Sequence, residues 1–492
     1  MFEAPELNLW IITPALIIAG WAIILMFIDL WIPDENKELT GWLSLVGLIP
    51  ALAVTLSQWG QTGEAFIPSG GQPMVVLDNY ATFLNTLYLL TGILTVFLSV
   101  SYLRRAGIAR GEYYFLMLFS IVGMMLMGMA NDLILVFLAI ELLSIPLYIL
   151  CAFNQPRAES EESAMKYFLL GAFSSGFLVF GIALLYGATG ATALPDVLAN
   201  IGPDNILGLI GGALLLVGFA FKVAAVPFHS WTPDVYEGAP TTVTAFMSVG
   251  AKVGGFAALM RVFIYALPEL ADTWVTALTL IAALTMILGN VVAISQQNIK
   301  RMLAYSSIAH AGYIMMAVAA ASDPQVADKG VSAALFYMLA YVFSNLGAFA
   351  VVLAVERQDG SGLNLDDYKG LARRHPLLAL ALAYFMLSLT GIPPSGGFTG
   401  KFFVFEAAIE SGLTWLAVVG VVTSVISAYF YLRPVFLSFM VDGEGRALVR
   451  PALAFTVVVA IVGTILLGLA PDFWYGLAQQ AALAGGQIVA GG

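Results

Sequence analysis

The chain has 492 residues, 60% of them hydrophobic and only 10% charged, with a mean hydropathy of +0.91. Soluble domains carry roughly 25% charged residues, so this composition excludes a soluble fold, and the lack of short segments alternating apolar and polar residues excludes a β-barrel. The net charge of −11 selects no partner, nucleic acid included, because most acids fall in short loops. The single cysteine, Cys151, lies in an apolar run; it excludes an intrachain disulfide, a cysteine-rich zinc site and a cysteine-held iron–sulfur cluster, and reads as a packing residue.

Apolar runs of about twenty residues recur from end to end, each long enough to cross a hydrocarbon core of roughly 30 Å as a helix. The N-terminus lacks the basic stretch of a signal peptide, so the first run is expected to be retained as a span. Runs between polar breaks begin near residues 9, 39, 80, 112, 132, 163, 205, 240, 275, 302, 331, 376, 412 and 451. This predicts an all-α integral membrane protein of about fourteen transmembrane helices. Residues 59–79, with Gly-Gly and Pro breakers, form the longest early loop. With the N-terminus outside, 14 of the 20 basic residues fall in inner loops: Lys37, Arg104, Arg105, Arg110, Arg157, Lys300, Arg301, Arg357, Lys369, Arg373, Arg374, Arg433, Arg446 and Arg450. The outer side keeps Arg261, at a helix end, and Lys329, so the positive-inside rule sets both termini outside and requires an even number of spans.

Glu141 stands nine residues into the fifth run, roughly 14 Å along a helix and near the bilayer middle. A carboxylate there is protonated or paired with a cation. Four lysines also lie in apolar segments, where an ammonium costs at least roughly 2.5–3.5 kcal/mol and so faces a protein or water-filled interior. Lys166 follows Glu162 by four residues at the inner start of the sixth run, which puts both on one helix face; a surface ion pair and a relay role both fit it. Lys222 precedes Pro227 by five residues, in a run that breaks into the Gly/Pro-rich stretch ending at Gly238-Ala239-Pro240. It is either an ion site on a discontinuous helix or a side chain snorkelling to the inner surface.

Lys252, midway along the eighth run and flanked by Gly250, Gly254 and Gly255, is too deep to snorkel and open to close approach by a helix or water. His229 and His310 are imidazoles of the membrane region, each a packing residue or a proton carrier; His375, beside Arg373 and Arg374, reads as solvated. Lys401 follows a second break, Gly391-Ile392-Pro393-Pro394-Ser395-Gly396-Gly397, in a twelfth segment too long for a simple span. That stretch fails as a phosphate-binding loop, because Ser395 occupies the first glycine position and Phe402 the Ser/Thr position.

Gly218-Phe219-Ala220-Phe221-Lys222 resembles Gly397-Phe398-Thr399-Gly400-Lys401, and both belong to broken segments five spans apart. An odd separation turns the copies over, the signature of an inverted repeat with an ion path at its interface near the midplane. Arg261-Val262-Phe263 and Arg433-Pro434-Val435-Phe436 close the spans after each. A buried carboxylate and several amines at different depths suit reversible proton transfer along a hydrated path. At an effective dielectric near 20, opposite charges about 5 Å apart interact by roughly 3 kcal/mol, enough for loss of a Glu141 pairing to release a proton from Lys222 towards Lys252 and Lys401.

The stretches Phe137–Pro146 around Glu141, Lys222–Val243, Ala251–Gly255 and Gly391–Phe402 resemble the antiporter-like subunits shared by respiratory complex I and the Mrp-type cation/proton antiporters, over nearly the whole chain. The resemblance implies two inverted five-helix repeats with two discontinuous helices: 1–111 holding helices 1–3, 112–266 the first repeat, 267–440 the second, and 441–492 the last helix and tail. It also implies a Glu141–Lys222 pair, a central Lys252 and a terminal Lys401, with Glu162, Lys166 and His229 in secondary roles and His310 as a further candidate. Lys401 in place of the M-type glutamate, and only about twenty residues after the last run, match the N type among these subunits.

That type implies proton translocation in the bacterial inner membrane, within an NADH:quinone oxidoreductase whose other subunits hold FMN and iron–sulfur clusters and reduce a quinone. This chain would carry no cofactor, metal or redox centre, and other membrane subunits, antiporter-like ones among them, would be its partners in the bilayer. The rival readings are an Mrp-type Na⁺/H⁺ antiporter subunit, a self-sufficient substrate transporter, and a structural scaffold whose buried lysines are dispensable.

Overall fold

The computed structural model describes residues 7–69, 71–155 and 157–482. Its first helices are α1 (Leu9–Asp29), α2 (Glu38–Ser57), α3 (Asn79–Arg105), α4 (Glu112–Met129), α5 (Leu133–Cys151), α6 (Ala158–Thr189), α7 (Leu194–Asn200), α8 (Ile206–Lys222), α9 (Trp231–Gly238) and α10 (Thr241–Met260). The chain continues through α11 (Ala271–Ala293), α12 (Ile299–Ala320), α13 (Ala327–Val355), α14 (Leu371–Arg374), α15 (Pro376–Thr390), α16 (Gly396–Glu410), α17 (Thr414–Met440), α18 (Pro451–Leu469) and α19 (Pro471–Gln480). Among the described residues, 12 helices are long and apolar enough to cross a membrane. Two more, α8 and α15, are apolar but only 17 and 15 residues long, and each leads across a break into a second short helix, α9 or α16. The twelfth segment, too long for a simple span, is therefore the pair α15 and α16.

The helix ends follow side-chain chemistry. Asp78, Asp132, Asn205, Asn298 and Ser395 each accept a backbone N–H in the first turn of α3, α5, α8, α12 and α16, satisfying donors that have no partner inside the helix. Gly190 ends α6 and Gly391 ends α15, both in the left-handed conformation that side chains disfavour. The expectation of an all-helical chain needs one amendment: the early loop carries a small antiparallel hairpin of β1 (Gly63–Ala65) and β2 (Val75–Leu77). Residues with β-branched side chains, Val75 and Val76, fall just where the helical breakers end.

Burial sorts the helices into an inner and an outer set. The membrane-crossing window of α10 is wholly buried and those of α12 and α13 nearly so, whereas α1, α6 and α18 turn much of their surface outward. The outward faces carry large apolar side chains such as Phe173, Phe180 and Val458; the inner helices carry glycines and hydroxyls that allow close packing. At Gly123 on α4 an added Cβ would lie 2.4 Å from the backbone N of Leu143 on α5, and at Gly289 on α11 it would lie 2.7 Å from the backbone N of Ala309 on α12. The two helix pairs thus cross at glycines with the same spacing to their contacts, 123 to 143 and 289 to 309.

One end of the helix bundle gathers the basic loops and is called the basic face below. At the opposite face, Arg261 begins the π-helical turn Arg261–Ala266 that continues α10. Its guanidinium pairs with both Asp78 oxygens at 2.8 Å and donates to the Gly128 carbonyl at 2.7 Å, tying α10 to α3 and α4. Lys300 does not belong to a basic-face loop as its sequence context suggests. Asn298 caps α12, so Lys300 falls inside the first turn and is only 2% exposed.

Candidate functional site

Lys222 is the last residue of α8, where the chain breaks. It is 6% exposed, which overturns the snorkelling alternative. Its Nζ donates to the Ser144 hydroxyl at 2.6 Å and to the Tyr167 hydroxyl at 3.4 Å. The Tyr167 ring stacks on Trp231 of α9 with centroids 4.5 Å apart, and Tyr148 meets Tyr167 edge-on. Trp231 in turn donates to the Phe221 carbonyl at 3.2 Å. An aromatic box therefore fastens the two half-helices together around the ammonium group.

The Glu141–Lys222 ion pair expected from the sequence is not formed. Half-buried Glu141 accepts a hydrogen bond from Ser175 on α6, while Ser144, almost one turn further along α5, reaches Lys222 first. Ser144 is itself anchored on the Ile140 carbonyl. Carboxylate and ammonium are thus neighbours separated by one hydroxyl-bearing turn.

Lys252 on α10 donates to the backbone carbonyl of Ser307 on α12 and is 3% exposed. Three residues on, Gly255 lies against Lys222, where an added Cβ would come within 3.2 Å of Cγ. One face of α10 therefore touches the first buried lysine and carries the second. Beyond Ser307, α12 presents His310, 4% exposed, whose Nδ1 lies 2.6 Å from the Tyr337 hydroxyl and Nε2 3.0 Å from the Tyr431 hydroxyl. Tyr431 also bonds Ser306, next to the carbonyl that Lys252 uses. One turn further, Tyr313 accepts from Ser424 at 3.0 Å.

Lys401 on α16 closes the row. Its Nζ donates to the Thr390 carbonyl at 2.8 Å and the Ser424 hydroxyl at 3.1 Å, and lies 4.6 Å from the centre of the Tyr313 ring. Thr390 is the last residue of α15, so this ammonium, like that of Lys222, sits at the carbonyl end of a half-helix, where the helix dipole favours a cation.

The remaining candidates lie apart from this row. Lys166 is 40% exposed and pairs with Glu162 at 2.6 Å and Asp234 at 2.7 Å, so its geometry is that of an ion pair near the basic face. Asp234 also takes Arg301 at 2.7 Å, which reaches Glu237 at 2.9 Å. His229 is half-buried in the break between α8 and α9, and its Nδ1 has no hydrogen-bond partner. The hydroxyls of Ser144, Tyr313, Ser424 and Tyr431 escape a search for charges in apolar runs. Helical spacing was the available signal for two: Ser144 lies three residues after Glu141 and Tyr313 three after His310.

Among the described residues, twelve apolar spans, two half-helix pairs and a buried row of lysines held by hydroxyls and backbone carbonyls define an antiporter-like polytopic membrane protein. Residues 130–427 match the family described as NADH:quinone oxidoreductase/Mrp antiporter, TM. NADH-quinone oxidoreductase subunit N of Chloroflexus aggregans is 49% identical over 486 residues, covering 97% of this chain and 98% of the relative. A chain of respiratory complex I from Thermus thermophilus, solved with bound aureothin, superposes with a TM-score of 0.79 at 36% identity, covering 95% of this chain and 99% of that one. A chain of the Mrp complex from Dietzia sp. DQ12-45-1b shares the fold, with a TM-score of 0.78 at 21% identity over 96% of each chain. The chain belongs to the NADH:quinone oxidoreductase/Mrp antiporter membrane family, among relatives named subunit N.

Proposed function

We propose that this chain is the proton-translocating membrane subunit of a bacterial NADH:quinone oxidoreductase, with its buried lysines as the proton carriers. The observation that carries the reading is the row of Lys222, Lys252, His310 and Lys401, linked through hydroxyls and a shared helix face across both half-helix pairs, in a chain whose relatives of matching length are named subunit N. Hydroxyls and imidazole at hydrogen-bond spacing can pass a proton without moving the backbone. Glu141 acts on Lys222 from one turn away, and a shift of Ser144 is what brings the pair together. Glu162 and Lys166 set the charge at the basic face, and His229 serves the first helix break.

Counting each half-helix pair as one span gives fourteen spans, in two inverted repeats covering 112–266 and 267–440, preceded by 1–111 and followed by 441–492. The equal spacing of the Gly123 and Gly289 crossings supports this division. The basic face is the inner side and both termini are outside. The partners are other membrane subunits of the complex, and FMN and iron–sulfur clusters belong to its peripheral subunits, where the electrons pass to quinone.

The test is to tag the chain in its native membrane, purify it in mild detergent and assay flavin, iron–sulfur absorbance and NADH:quinone reductase activity. Co-purification of all three is expected. An intact assembly that lacks them and instead drives sodium-dependent pH changes would transfer the chain to the Mrp-type reading.

A further inference from the structure

A cavity of about 410 Å³ indents the basic face between α6, α9, α12 and the segment after α13. Its lining includes exposed Glu159 and Glu162 and, more deeply, three buried groups: Tyr102 of α3, Lys300 of α12 and Glu356, the residue that ends α13. Lys300 donates to the carbonyls of Glu237 at 2.9 Å and Ala239 at 2.6 Å and, among the described residues, forms no ion pair. Glu356 is 5% exposed; one carboxylate oxygen accepts from Tyr102 at 3.1 Å and the other has no partner.

Packing alone does not account for a carboxylate here. A negative charge at the carbonyl end of α13 opposes the helix dipole, and a buried, half-satisfied carboxylate is costly. Lys300 from α12 and Arg105 from α3 lie near it, neither in ion-pair contact. A neutral amide would fill the same space without that cost. What the carboxyl group adds is a titratable proton.

Buried polar groups lie between this floor and the buried row. The Tyr102 hydroxyl accepts from the Thr241 backbone N–H at 3.4 Å, at the start of α10, the helix that carries Lys252. Lys300 and Ser307 share α12, seven residues and about 10 Å apart, and the Ser307 carbonyl holds Lys252. The hydroxyls of Tyr236 and Tyr341 lie against that of Ser307, and that of Tyr113 against Thr242, so buried polar groups line the space between the cavity floor and Lys252.

We propose that Glu356, with Lys300 beside it, is the proton-loading group of the basic-face cavity and feeds the buried row at Lys252. The carboxylate takes a proton from cavity water, and the resulting acid passes it along the hydroxyls to the neutral Lys252 amine, which becomes ammonium as the carboxylate is restored. This rests on the proton-translocating reading above.

The test uses the assembled complex in inverted membrane vesicles, with NADH-driven proton pumping followed by a pH-sensitive dye. Glu356→Gln should lower pumping at least about tenfold, while assembly and NADH oxidation by an artificial acceptor persist. Added formate, a carboxylic acid small enough for the cavity, should restore part of the pumping relative to wild type under the same conditions, and Glu356→Asp should retain most of it. Pumping by Glu356→Gln at the wild-type rate overturns the proposal, as does a loss that neither formate nor Asp relieves. Should Glu356→Gln fail to assemble, Lys300→Gln decides: reduced pumping supports the proposal and unchanged pumping overturns it. If the wild-type vesicles show no NADH-driven pumping, the functional reading itself falls. If they pump and Lys252→Met abolishes it while Glu356→Gln does not, this inference alone falls.

Discussion

Lys222 donates to Ser144 at 2.6 Å, and Ser144 stands three residues beyond Glu141 on the same helix. The hydroxyl therefore lies where a direct ion pair would otherwise form, while Glu141 is occupied by Ser175. A buried ammonium with a hydroxyl partner is held but not neutralised.

Ser144→Ala removes the strongest of the Lys222 hydrogen bonds and leaves the 3.4 Å contact to Tyr167. Loss of one hydrogen bond to a buried charged group costs about 1–3 kcal/mol. Proton pumping in reconstituted complex is expected to fall about tenfold with assembly retained, and Ser144→Thr to restore much of it. Equal pumping by Ser144→Ala and wild type would show that Lys222 does not depend on this hydroxyl.

Lys252→Met separates a carrier from a scaffold. Among the described residues Lys252 has one hydrogen-bond partner, the Ser307 carbonyl, so replacing it by an apolar side chain of similar length removes a desolvated charge. The purified complex is expected to melt at the same temperature or higher, with proton pumping abolished. A thermal melt together with a pumping assay checks both halves, and normal pumping would favour the scaffold.

Gly123→Val and Gly289→Val test the internal repeat. Each added side chain meets backbone on the facing helix, at 2.4 and 2.7 Å, so neither clash is relieved by turning a rotamer. Overpacking costs typically 1–3 kcal/mol, and more against backbone. Both variants are expected to lower the amount of assembled complex on native gels to a similar degree. Tolerance of one and not the other would argue against equivalent crossings.

The spans were legible in the sequence because the bilayer imposes one length and one polarity on each. Runs expected near 9, 112, 376 and 451 begin at Leu9, Glu112, Pro376 and Pro451. Both helix breaks were legible from glycine and proline, and the burial of Lys252 from its place midway along its run. What escaped was set by tertiary contact. Lys300 looked like a loop residue beside Arg301, although Asn298 before it is a helix cap. Glu141 and Lys222 were expected as a pair from the family resemblance, but a sequence gives no side-chain direction across helices, and Ser144 bonds Lys222 instead. Glu356 drew no notice in the sequence, since nothing local reveals that it is buried beside Tyr102 of α3.

The second half-helix pair offers the sharpest separation of fold from transfer, because two of its glycines meet different kinds of atom. At Gly397 an added Cβ would lie 1.9 Å from the Ser388 carbonyl oxygen, which is backbone and cannot move away. At Gly391, with φ of 91°, it would lie 2.8 Å from Cδ of Lys401, which is the flexible stem of a side chain. Gly391→Ala also carries a left-handed backbone penalty of roughly 1–2 kcal/mol, small enough for the chain to fold. The expected outcome is that Gly397→Ala loses assembly, whereas Gly391→Ala assembles but pumps several-fold more slowly, because Lys401 is pushed off the Thr390 carbonyl at the end of α15. Native gels and dye-quench pumping measure the two effects separately. If Gly391→Ala assembles and pumps as wild type does, the seat of Lys401 against the half-helix end has no part in proton transfer, and the row must end at His310.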